Sequence, residues 1–156
     1  LERYTLAVEM AGQRELVMHD SRRELTRHLP CWLNSRGNVL VTGLGLGCVV
    51  RGLLACPKVE HIDVVEIDRG ILRVVGAEFA GNPKVTLHHG DALTWMPEHG
   101  QRWDLGWHDL WSEPGDEHLG ILHAKVLIRF APYCDVQGAW QFPRMFKRRW
   151  PTPLIG

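Results

Sequence analysis

Residues 39–47 read VLVTGLGLG. Val39, Leu40, Val41 and Thr42 form a short apolar run, and glycines follow at 43, 45 and 47. Such a run predicts a strand buried on both faces. A helix is predicted directly after it, from about Gly47 to Ala55. Alternating glycines let the backbone approach a ligand closely and leave the first helical N–H groups facing it. Gly43, Gly45 and Gly47 are therefore candidate binding residues. Two phosphate-binding patterns fail here. The dinucleotide fingerprint needs a glycine three residues after Gly45, where Cys48 stands. The P-loop needs a Lys after its last glycine, and none is present. A nucleoside without phosphates survives as the ligand class.

Outward from this loop the chain alternates strand and helix. Strands are predicted over 61–66, 84–88, 103–108 and 135–140, with helices over 69–79 and 116–130 and a last helix over 144–150. Residues 91–96 read as a short helical turn. This order demands a mostly parallel sheet with helices on both faces. Upstream, 4–10 and 14–18 read as an N-terminal β-hairpin around Ala11-Gly12-Gln13, and a helix runs from about Asp20 to Leu29, ended or bent by Pro30. Residues 35–38 read as a turn. The whole is one domain over 1–156: hairpin 1–19, α/β core 20–150, tail 151–156. A length of 156 residues fits that count.

Composition excludes several classes. The 18 Lys plus Arg balance 18 Asp plus Glu, so no global charge pulls the chain to nucleic acid or a membrane surface. A small-molecule substrate is expected instead. The basic, aromatic stretch 144–150 reads as a solvated helix face. No apolar run reaches membrane-spanning length, and Leu1-Glu2-Arg3 do not open a signal peptide. Cysteines at 31, 48, 56 and 134 include no C-x-x-C pair, which predicts reduced core thiols, a cytoplasmic location and no metal site. Most of the seven Trp fall after residue 90, pointing to a well-filled core or a lined pocket, and Trp-rich exposed ends would suit a homo-oligomer.

Two carboxylates suit a nucleoside. Glu66 ends the second strand of the alternating region, 19 residues after Gly47, where an acid can accept both ribose hydroxyls. Asp91 ends the third and can accept from an exocyclic amine, or cap the turn that follows.

The ordered set VLVTGLGLG, VVEID (64–68), GDAL (90–93) and WDLGWHDL (103–110) resembles class I S-adenosylmethionine-dependent methyltransferases, most of all the spermidine synthase-like branch. The resemblance covers roughly residues 20–115. It implies a Rossmann-like methyltransferase fold and S-adenosylmethionine as cofactor. It places the glycine loop on the methionine and ribose, Glu66 on the ribose hydroxyls, Ile67 on the adenine face, and Asp91 with Ala92 at the adenine amine.

Ends of parallel strands are where ligands bind in open sheets. His108, Asp109, Trp111 and Glu113 should therefore rim the transfer site. Asp109 matches the synthases' catalytic Asp, which deprotonates or orients the attacking group, and Asp104 matches the first Asp of the same segment. Transfer from a sulfonium needs a positioned nucleophile and a proton acceptor, and Asp109 with His108 are the candidates. Trp111 and Glu113 are candidate substrate contacts.

Departures from the family pattern are equally legible. Thr42 stands where methyltransferases commonly carry an acid, and Leu46 where the synthases carry an Asp. Arg22 and Arg23 replace the Tyr-His pair of the polyamine site, which disfavours a cationic diamine. Only 42 residues follow Pro114, so a sheet of about five strands is expected rather than seven. Three functions stay open: a methyltransferase, an aminopropyltransferase using the decarboxylated cofactor, and a non-catalytic cofactor-binding or interaction module.

Overall fold

A computed structural model describes residues 5–10, 13–19, 22–110 and 119–147. Strands β1 (Thr5–Met10) and β2 (Gln13–His19) pair antiparallel in a sheet of their own. Helices α1 (Arg22–Arg27) and α2 (Leu29–Asn34) lead into β3 (Gly37–Thr42), followed by α3 (Cys48–Leu54) and β4 (Val59–Glu66). Next come α4 (Arg69–Val74), a 3-10 turn (Gly76–Glu78), β5 (Val85–His89), β6 (Trp103–His108), α5 (Leu119–Phe130), β7 (Cys134–Ala139) and β8 (Phe142–Lys147).

The main sheet has the order β5-β4-β3-β6-β7-β8. It is parallel from β5 to β7, and β8 alone runs antiparallel. From β3 the chain first builds outward through β4 and β5, then crosses to the other side of β3 with β6. The switch point therefore lies between β3 and β6.

The central strand explains the two-layer cover. Val39, Leu40 and Val41 are all fully buried. Val39 and Val41 join Val49, Val50 and Leu53 of α3 and Cys31 of α2 in one core. Leu40 points the other way, to a second core with Val126 and Phe130 of α5. Successive strand side chains alternate faces, so one apolar run serves both layers.

Three expectations are corrected. The sheet has six strands, not about five. The sixth, β8, occupies residues assigned in sequence to a last helix. Trp140 and Gln141 reverse the chain, and the pattern beyond has period two. Met145 packs into the first core, while Phe142 and Phe146 meet on the opposite face with ring centroids 6.4 Å apart. Pro30 begins a helix rather than only ending one. It sits in the first turn of α2, where a missing N–H costs nothing. Gly37 and Asn38 open β3 instead of forming a turn.

Candidate functional site

A cavity of about 610 Å³ opens at the C-terminal ends of β3, β4, β5 and β6, at the switch point. It is lined by Gly43 and Gly45 after β3, Glu66 and Ile67 at the end of β4, Asp91 and Ala92 after β5, and Asp109 and Leu110 after β6. Ile71, Val74 and Val75 from α4 and its exit, with Leu122 of α5, add apolar wall. The volume falls in the usual range for a small-ligand pocket.

The glycines have distinct duties. Gly43 has φ +88°, and a Cβ there would run into the Asp109 carbonyl. Its N–H donates to the Val65 carbonyl at 2.8 Å, while the Asp109 N–H donates to the Thr42 carbonyl at 2.8 Å. The loop is thus stitched to both neighbouring strand ends. Gly47 does not line the cavity. It is the N-cap of α3 with φ +77°, and a Cβ there would lie 2.9 Å from the Phe79 ring. Its role is close packing of the helix start.

Glu66 is 5% exposed and divided between two loops. Its Oε2 accepts the Leu44 N–H at 2.7 Å, and its Oε1 accepts the Asp68 N–H at 2.8 Å. An ionised carboxylate has about four acceptor positions, so capacity remains towards the cavity. Asp91 Oδ1 accepts the Leu93 N–H at 2.8 Å, closing the turn after β5. Asp68 caps α4, accepting from Gly70 and Ile71. Ile67 is 63% exposed at the rim, an apolar surface open to a flat ring.

His108 lies apart from the other candidate site residues. It is fully buried and outside the cavity lining. Gln137 donates to the Leu127 carbonyl at 3.1 Å, which turns its Oε1 towards His108 Nε2 at 3.0 Å. Nε2 must then carry the proton, and Nδ1 accepts from the Thr42 hydroxyl at 2.9 Å. The ring also stacks on Phe130 with centroids 5.6 Å apart. Burial drives its pKa down to about 4, against the Gln137 bond that raises it. His108 is a neutral link in a core network. The same network gives Thr42 a use: its hydroxyl is the donor that fixes this ring.

Asp109 stays at the cavity. Its Oδ2 lies 3.9 Å from Nε2 of His28, a buried residue between α1 and α2. Leu110 donates its N–H to His123 Nε2 at 3.2 Å. Burial brings both His28 and His123 down to about 4, with Arg27 adding to the effect on His28. In sequence His28 falls on the His of a segment, 24–30, that resembles the synthases' Glu-Met-Leu-x-His-x-Pro, whereas His123 carries no motif. The available signal for His123 was a lone polar ring in the apolar helix LGILHAKVLIRF. Trp111 and Glu113 lie outside the described residues.

Among the described residues of this lining, the charged ones are all acids: Glu66, Asp68, Asp91 and Asp109. Such a wall suits a cationic or neutral ligand and repels phosphate.

Against known proteins, the chain is 38% identical over 81 residues to spermine synthase of Arabidopsis thaliana, a match covering 47% of this chain and 23% of that protein. It is 46% identical over 55 residues to ribosomal RNA small subunit methyltransferase A of Chromobacterium violaceum, covering 35% of this chain and 20% of that one. These matches span about a quarter or less of either relative. No protein-family model matches the chain. Among solved structures, the N-terminal domain of EvdMO1 with SAH bound superposes with a TM-score of 0.59 at 18% identity, covering 85% of this chain and 57% of that one. The fold is that of the class I S-adenosylmethionine-dependent methyltransferases. Within this methyltransferase fold, the cavity lies where Gly43, Glu66, Asp91 and Asp109 converge. All four cysteines are free, and no helix among the described residues is long and apolar enough to cross a membrane.

Proposed function

We propose that this chain binds S-adenosylmethionine in the switch-point cavity and acts as a methyltransferase on a small-molecule acceptor. The observation that carries the reading is the shared lining. Gly43, Gly45, Glu66, Ile67, Asp91, Ala92 and Asp109 come from four strand ends and face one space. The residues fit the cofactor by their own chemistry. Gly43 and Gly45 offer bare backbone, Glu66 keeps acceptor capacity for hydroxyls, Ile67 offers an apolar rim, and Asp91 offers a carboxylate for an amine. When bound, the cofactor supplies a methyl group activated on a sulfonium. The acidic lining favours that cation electrostatically.

The chain's own task is positioning and proton removal. Asp109 sits at the strand end across from the glycine loop and is the group placed to take the acceptor's proton. Leu110 and Leu122 add apolar lining to the same cavity. A cytoplasmic location accords with four free thiols.

Aminopropyl transfer is the second reading, favoured by the match to spermine synthase. Calorimetric titration with S-adenosylmethionine, S-adenosylhomocysteine and decarboxylated S-adenosylmethionine separates the two. Binding of the first two supports methyl transfer, and preference for the third reverses the order. Failure of all three with folded protein removes both in favour of a non-catalytic module.

A further inference from the structure

The segment that delivers Asp109 to the cavity is held by more than its strand. Asp109 is tied to β3 by its own N–H, donated to the Thr42 carbonyl. The next amide, Leu110 N–H, has left the sheet and donates to Nε2 of His123 at 3.2 Å. A ring nitrogen that accepts is bare, so the proton of neutral His123 is on Nδ1. His123 is fully buried, and its Nδ1 has no partner among the described residues.

That arrangement is informative because of what it does not gain. An apolar side chain at 123 would take the partner from one half-buried amide, that of Leu110. The imidazole satisfies that amide and leaves its own Nδ1–H unsatisfied. The ring thus satisfies one half-buried donor and orphans a buried one, so hydrogen bonding alone gives it no stability advantage. What differs is position: with the ring present, Leu110 and hence Asp109 are anchored to α5.

A second imidazole opposes the first. His28 sits between α1 and α2 with Nε2 3.9 Å from Asp109 Oδ2 and its ring edge on Trp107, at a centroid distance of 6.2 Å. Trp107 belongs to the core under α2 and α3, whereas His108 stacks on Phe130 of α5. The two imidazoles therefore reach the strand end from opposite faces of the sheet.

We infer that His123 is a positioning residue, fixing Asp109 and Leu110 against the cavity through the Leu110 amide, with His28 bracing the Asp109 carboxylate from the other side. This rests on the reading of the cavity as a cofactor site with Asp109 at its transfer end.

The test uses the full chain labelled with ¹⁵N. Imidazole ¹⁵N shifts should report His123 with Nδ1 protonated and Nε2 bare. Amide exchange at Leu110 should accelerate about tenfold in His123→Leu and return to the wild-type rate in His123→Gln, whose side-chain carbonyl can accept the same N–H. A protonated Nε2 in the wild type overturns the inference, even where His123→Leu fails to fold. So does unchanged Leu110 exchange in a folded His123→Leu, or failure of Gln to restore it. Absence of cofactor binding by the wild type instead overturns the functional reading, and the exchange data still judge the positioning role.

Discussion

Glu66 Oε2 accepts the Leu44 N–H at 2.7 Å, so the acid ending β4 holds the glycine loop that follows β3. Its other oxygen holds Asp68 at 2.8 Å, where the chain turns into α4. One carboxylate thus fixes two walls of the cavity while still offering acceptor positions to a ligand. Glu66→Gln presents an NH₂ group to one of these two amides, placing donor against donor. Expected outcomes are a fall in S-adenosylmethionine affinity of about 10- to 100-fold, from losing a charge-assisted bond of about 1.5–3 kcal/mol, and a lower Tm. Calorimetry and thermal unfolding check both. Unchanged affinity removes Glu66 from the ligand site and leaves it as a loop clamp.

Gly43→Ala tests the close approach between β3 and β6. The residue has φ +88°, and an added Cβ meets the Asp109 carbonyl, which is backbone and cannot swing aside. The strain of a left-handed non-glycine residue is about 1–2 kcal/mol before the collision is counted. The variant should lose at least that much stability by denaturant titration and should displace Asp109. Gly81→Ala is the control, because a Cβ there meets nothing within 4 Å and the φ is ordinary.

Much of this was legible in the sequence because it lies on regular alternation. The strand predicted over 103–108 matches β6, and Val39 to Val41 read as doubly buried. The three glycines announced a tight loop, but not which of them face a ligand. Gly47 differs from Gly43 through Phe79, a contact made by packing across 32 positions of chain. The burial of His108 is hidden from sequence for a similar reason. A polar residue at a strand end looks like a site, and only Thr42 and Gln137, from flanking strands, make it a satisfied core group. β8 was missed because Arg144 and Lys147 break a short apolar alternation that its pairing with β7 sustains.

Acid should destabilise the fold before any carboxylate is lost. His28, His108 and His123 titrate near 4 in the fold, against 6.5 for the free side chain. Between those values the unfolded chain binds more protons than the folded one. Stability is therefore complete above about pH 6.5 and drains away as the pH falls towards 4. Three such groups give a slope of up to about 4 kcal/mol per pH unit. Urea unfolding at several pH values should show this slope, and His123→Gln should reduce it by about a third.

Asp63 extends the acid sensitivity to lower pH. It is 6% exposed in the middle of β4. Burial alone would raise its pKa. Hydrogen bonds from His88 at 2.7 Å and Trp103 at 2.9 Å, with the charges of His88 and His61, outweigh burial and hold it low. Its contribution is present above the ordinary carboxylate pKa of about 4 and is lost as the pH falls through the depressed value. Asp63→Asn should cost about 2 kcal/mol at neutral pH and flatten the stability profile below about pH 4.

Asp109→Asn separates chemistry from binding. The amide keeps the shape of the carboxylate and the backbone bond to Thr42, but it cannot take a proton. If Asp109 receives the acceptor's proton, kcat with a turned-over acceptor should fall by about 10²–10⁴, with S-adenosylmethionine affinity changed far less. His28→Leu should act on the same step more weakly, because it leaves the carboxylate in place and removes only the ring 3.9 Å from it. The double variant should then be no slower than Asp109→Asn alone, since a brace has no effect on a group that no longer reacts. An additive loss would instead give His28 a role independent of Asp109. Equal kcat in Asp109→Asn and the wild type would move proton acceptance to another group of the cavity.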